Sequence, residues 1–177
     1  MNRIEGPDGW FNQLEQVITA RQDGGSRLRW VHSGVFAEDW DTQYAAASKH
    51  TVFYMHTLAQ YLEHFAPRPA VFVDVQGPES SMAPDAFERV RSALGIRPGT
   101  VAGELVTARL PGVGSRAIVD WQDELFVGLR TDDALDRFFG RNAFGGPVGL
   151  TVHHFGGASA TELQDTWQRW LDGLFTG

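Results

Sequence analysis

Cysteine is absent from these 177 residues. That removes disulfide frameworks, thiolate metal sites and cysteine nucleophiles together. Lysine is nearly absent as well. Of the 15 basic residues all but Lys49 are arginine, so chemistry that needs an amine has one candidate. Positive charge is in deficit: 22 acids give a net charge of -7, which argues against nucleic acid and against an anionic membrane surface as partners. No run approaches the about 18 apolar residues of a membrane-spanning helix. The opening MNRIEGPDGWFNQL has no apolar stretch behind its basic residue, so no secretory signal is expected and a cytoplasmic setting is.

What is present suits a folded domain. Hydrophobic residues make up 42% and charged residues 21%, too apolar for disorder. The length fits one domain, read here as a single α/β domain over 1–177. Twelve Phe and six Trp exceed what a core of this size needs, and such a surplus often surfaces at a protein interface.

Periodicity supplies the elements. Asp8 as a cap, then Trp10, Leu14, Val17 and Ile18 at helical spacing, predict a helix over 10–22 ended by Gly24 and Gly25. LRWVH (28–32) reads as a strand. Val52, Met55, Leu58, Tyr61, Leu62 and Phe65 form a helical stripe stopped by Pro67 and Pro69. AVFVDV (70–75) is a nearly continuous apolar run, as in a strand buried on both faces of a parallel sheet. Pro84 at a first helical position and Gly95 as terminator bracket another helix. Residues 117–121 and 125–129 suit two strands of a hairpin, although Ile118, Trp121, Leu125 and Leu129 also fit a helix. Thr131 caps a predicted helix through Phe139, and VGLTVHHF gives a strand over 148–153. Ser159 and Glu162 form a capping box for the last helix, with Leu163, Trp167, Trp170, Leu171, Leu174 and Phe175 as its stripe. Helices alternating with apolar strands predict a three-layer α/β fold: a mostly parallel central sheet with helices on both faces.

Parallel sheets bind ligands at the carboxyl ends of their strands. The loops 33–41, 76–81 and 154–159 bring Ser33, Glu38, Asp39, Asp41, Glu79 and His154 to that edge. His32, Asp39, Asp41 and His50 have no spacing that builds a metal site. His153 and His154, adjacent on a strand, point to opposite faces, so no metal is expected. G-x-S-x-G is missing, and Ser33 in H-S-G imitates a nucleophile turn only loosely. No catalytic residue is therefore assigned. The phosphate-cradling G-x-x-x-x-G-K-[ST] is also missing, yet Lys49 and Thr51 stand at the expected head of the helix after strand 28–32. The candidate ligand set is Ser33, Lys49, Thr51, His153 and His154. Trp170 with Phe175, at one side of the last helix, is the candidate interface.

The order WFNQLEQVITA, LRWVHSG, VFYMHTLAQYLEHF, AVFVDVQG, FERVRSALG, then DDALDRFFGRN and PVGLTVHHFGG, resembles an inactive STAND-type P-loop NTPase domain. The resemblance implies a P-loop NTPase-like core, and it puts His153 and His154 where the family's Walker B strand ends in magnesium-binding acids. Without those acids and without the glycine cradle, no ATP hydrolysis and no cofactor are expected. The implied role is a non-catalytic adaptor or scaffold in a bacterial signalling or conflict system, working through a protein partner or self-association. Two alternatives stay open: a small enzyme with a His/Asp site at the carboxyl edge of the sheet, and a nucleotide binder without hydrolysis.

Overall fold

The computed structural model describes residues 2–6, 11–35, 40–111 and 115–176, so Asp8, Trp10, Glu38 and Asp39 lie outside the described residues. The chain divides into two compact units, with the boundary between Lys49 and His50.

The first unit is an antiparallel sheet of three strands in sequence order, β1 (Asn2–Glu5), β2 (Phe11–Ala20) and β3 (Ser26–Val35), followed by the opening turns of helix α1 (Trp40–His64). The helix expected over 10–22 is a strand. Its residues pair one for one with β3, from Phe11 opposite Val35 to Ala20 opposite Ser26. The i, i+4, i+7 spacing was real, but Val17, Ile18 and Thr19 are β-branched and suit a pleated ladder equally well. Gly24 does not end a helix. At φ 83° it makes the hairpin turn, in which the Arg21 amide donates to the Gly25 carbonyl at 2.8 Å.

The second unit holds the remainder of α1, then β4 (Val71–Gln76), α2 (Ala86–Leu94), a meander of β5 (Leu105–Ala108), β6 (Ser115–Gln122), β7 (Phe126–Arg130), β8 (Ala134–Phe139) and β9 (Gly149–His154), and finally α3 (Ala160–Gly173). The six strands lie in the order β4-β9-β8-β7-β6-β5, and every neighbouring pair is antiparallel. This overturns the expected three-layer, mostly parallel α/β sheet and with it the P-loop-like core. The connections explain why. β6 to β7 and β7 to β8 are joined by turns of a few residues, and a parallel crossover needs about a dozen or more.

Two local readings fail for identifiable reasons. Residues 131–139 are predicted as a helix from the Thr131 cap. Of these, Ala134–Phe139 form β8, a central strand whose six residues are all buried. With both faces covered, the period-2 alternation vanishes from the sequence. Conversely AVFVDV, read as doubly buried, is the edge strand β4. Val73 and Val75 face the core, whereas Phe72 is 55% exposed. The strands expected at 28–32, 70–75 and 148–153 do exist, but in antiparallel sheets. Of the readings left open over 117–129, the strand pair is the one formed.

One face of the larger sheet packs against α2 and α3. Val73, Val75, Phe138, Leu150 and Val152 meet Phe87, Val90 and Leu94 of α2 and Trp167 and Leu171 of α3 in one core cluster. Gly95 closes α2 in the left-handed region at φ 75°, as its position predicted. Ser159 caps α3, its side chain accepting from the Glu162 amide. α3 also covers the open edge of the sheet: Gln164 and Gln168 donate to the Asp74 and Gln76 carbonyls of β4 at 3.1 and 2.9 Å. Those carbonyls are thereby withdrawn from pairing with another chain. The opposite face packs against α1. Phe53 stacks on Phe126 at 4.9 Å, and Phe65 stacks on Phe155 at 4.1 Å.

Candidate functional site

The α1-facing side of the sheet does not close evenly. Between its two aromatic clusters lies a cavity of about 520 Å3, bounded by α1, β4, β8, β9 and the segment after β9. α1 contributes Tyr54, Leu58 and Tyr61 at one-turn spacing, and strands contribute Phe72, Leu135 and Phe139. These rings and aliphatic chains make the wall chiefly apolar. The strand residues follow the pleat. On β8, Leu135, Arg137 and Phe139 face the cavity, and on β9 Thr151 and His153 do.

Arg137 lies at the base of this site, with its side chain 1% exposed. Nε donates to Thr57 Oγ1 at 2.8 Å. One terminal nitrogen, Nη1, reaches the Leu129 and Asp136 carbonyls at 3.2 Å each. The other, Nη2, pairs with Asp120 Oδ2 at 2.9 Å. Four of the five guanidinium N–H groups are thus engaged. Burial pulls the Arg137 pKa down, and the Asp120 carboxylate opposes that pull. Asp120 also faces His56 Nε2 at 3.3 Å, and Thr57 Oγ1 donates in turn to the Phe53 carbonyl at 3.0 Å. The network therefore ties the middle of α1 to the sheet. It needs a glycine: a Cβ at Gly128 would run into the Asp120 carboxylate and approach Arg137 Nη1 to 2.9 Å.

A second arginine, Arg141, lies in the short 3-10 turn Arg141–Phe144 that follows β8. Its guanidinium sits 4.9 Å over the Phe139 ring. Gly149 leaves the room, since a Cβ there would meet Arg141 Nη1 at 2.8 Å. Tyr54 lines the cavity beside Arg141. Burial raises the pKa of the phenol, and Arg141 acts to lower it. The third arginine, Arg68, donates to the Phe155 carbonyl at 2.9 Å. Asp74 is the one carboxylate of the lining and is exposed. His153 adds no charge at neutral pH. Burial, then the nearby Arg137, push its pKa down to about 4, and its Nδ1 is buried with no hydrogen-bond partner among the described residues.

Of the candidate site residues read from the sequence, His153 alone lines this cavity. His154, next along β9, faces the other way, its Nε2 lying 3.5 Å from Asp133 Oδ2. Ser33 is inside β3 of the first unit, opposite Gln13. Lys49 and Thr51 were expected at a helix head and are not: α1 is already helical from Trp40, so both lie in its interior, where the amides are bonded within the helix. Trp170 and Phe175 are half-buried against the α3 core, with Trp170 edge-on to Trp167 at 5.4 Å. Among the described residues there is no cluster of acids and histidines fit to hold a metal, and no helix is long and apolar enough to cross a membrane. Arg137, Arg141 and Tyr54 escaped the sequence reading. Arg137 fell inside the predicted helix ending at Phe139 and was given no role.

The chain matches no known protein family, and neither a curated protein nor a solved structure is similar to it.

Two outcomes follow from this geometry. Gly128→Ala should lower the unfolding free energy by about 2 kcal/mol or more, since the added methyl must displace a buried ion pair; urea denaturation measures it. The second concerns Asp136, buried with one carboxylate oxygen unpartnered, whose pKa burial raises from 3.8 to about 7. The folded state therefore holds an extra proton between those values, and this group's contribution to stability falls as pH rises through them. His153, pushed below its unfolded value, has the opposite trend between about 4 and 6.5. Asp136→Asn removes the first trend and keeps the second. Relative to wild type, the variant should gain stability from about pH 4.5 to about pH 7, by up to ~1.4 kcal/mol per pH unit. A constant difference in urea midpoint across that range would count against a buried titrating carboxyl.

Proposed function

We propose that the second unit is a binding module that takes one small, largely apolar molecule into the cavity between α1 and the sheet. The observation that carries this reading is the cavity itself. Its volume of about 520 Å3 lies in the range of drug-sized ligands, and its wall is mainly rings and aliphatic chains with a few convergent polar groups. The surrounding structure supports the same conclusion. The Arg137 network fixes α1 against the sheet, so the main walls of the space are a helix and strands held rigidly together. Binding accounts for the polar groups better than catalysis does. The lining hydroxyls belong to Tyr54, Tyr61, Thr151 and Thr57, the last of which bonds Phe53 and Arg137, and none is hydrogen-bonded to a histidine or carboxylate among the described residues.

The neutral dye N-phenyl-1-naphthylamine tests this. Its emission should rise on binding at one equivalent per chain, with a dissociation constant in the micromolar range. Leu58→Trp, which fills the cavity from α1, should weaken binding by about tenfold or more while leaving the far-ultraviolet circular dichroism unchanged. No saturable binding by the wild-type chain, or equal binding by the filled variant, would overturn the reading.

A further inference from the structure

Of the three arginines that line the cavity, one is ion-paired and one is exposed to solvent. Arg137 is neutralised by Asp120 at 2.9 Å, with both side chains buried. Arg68 is exposed, lies above the Phe65 and Phe155 rings and donates to a carbonyl. Arg141 differs. Its charge has no carboxylate within ion-pair distance among the described residues, and the Tyr54 phenol lies beside it in the lining. It is nevertheless held in place, stacked on Phe139 and accommodated by the missing side chain of Gly149. A guanidinium fixed at an apolar wall and left without an anion is matched by a carboxylate. Its planar fork offers two parallel N–H bonds to the two oxygens, and such bonds strengthen where water is excluded. The Tyr54 hydroxyl adds a third donor.

The charge balance of the lining agrees. With Arg137 compensated by Asp120, Arg68 and Arg141 stand against Asp74, leaving one positive charge. That suits a monoanion better than a phosphate dianion, which calls for further cations. From this arrangement we infer that the cavity's ligand is a monocarboxylate with an apolar body, its carboxylate received by Arg141 and Tyr54 and its body lying among Leu58, Tyr61 and Leu135. This rests on the binding reading above and adds the chemical class of the ligand.

Decanoate and decanol, which share a chain and differ in the head, serve as probes by displacing N-phenyl-1-naphthylamine. Decanoate should bind the wild-type protein at least about tenfold more tightly than decanol, the scale of one charge-assisted pair. In Arg141→Met, which keeps the length of the side chain and loses its fork, the two should bind alike at the level of decanol. Gly149→Ala keeps the charge but crowds the guanidinium, and should shrink the preference without changing decanol. If the dye binds but decanol matches decanoate, or neither displaces it, or the preference survives in Arg141→Met, the carboxylate assignment is wrong while the cavity reading stands. If decyl phosphate outcompetes decanoate, the ligand is a different anion and the assignment also fails. Failure of the dye to bind at all removes the cavity reading and this inference with it.

Discussion

The Arg137 guanidinium lies inside the second unit, on the middle strand of a sheet covered on both faces, and much else is arranged around it. An isolated charge there would cost several kcal/mol. The structure answers it with Asp120 from β6, Thr57 from α1 and two backbone carbonyls. Each partner comes from a different stretch of chain, so satisfying the charge fixes where those stretches go. α1 is located on the sheet by Thr57, and β6 is located by Asp120. The register of β6 against β7 shifts between Val119 and Trp121, beside that acid. Gly128 is the space the arrangement requires.

Fixing α1 by a polar anchor, instead of by continuous apolar contact, explains how a cavity persists in an otherwise packed unit. Phe53 with Phe126 and Phe139 closes one end, and Phe65 with Phe155 closes another. Between them α1 meets the sheet through the hydrogen bond from Arg137 to Thr57. Side chains beside that bond, such as Leu58 and Tyr61, face open space. On the other side of the sheet, where α2 and α3 pack, no such anchor intervenes and Val, Leu, Phe and Trp form a continuous core. The contrast assigns the two faces different work: one holds the fold together and the other leaves room.

Arg141 completes the division. It follows β8 directly and lies over the ring of that strand's last residue, so its position is inherited from the strand that carries Arg137. The two arginines are four residues apart in the chain and differ in environment. Arg137 is sealed by partners, whereas Arg141 is stacked on Phe139 with no carboxylate partner among the described residues. Burial distinguishes a charge that builds the fold from one available to a ligand.

The amino-acid sequence by itself determined a chain that folds without disulfides, the helix ends at Gly95 and Ser159, the second half of α1 and the positions of β3, β4, β6, β7 and β9. These depend on local chemistry: a left-handed glycine, a capping hydroxyl, a stripe of apolar residues, a run of β-branched ones. It did not determine which strands pair or in which direction. Pairing is a long-range property, so FNQLEQVITA read as a helix until β3 lay beside it, and ALDRFF read as one until both of its faces were covered. The candidate site was legible only at His153. Neither Arg137 nor Arg141 was singled out, since nothing within DDALDRFFGRN marks an arginine as buried. Tertiary structure alone decided that, because a buried charge is recognised by what surrounds it, and Asp120, Thr57, Phe139 and Gly149 come from separate parts of the chain.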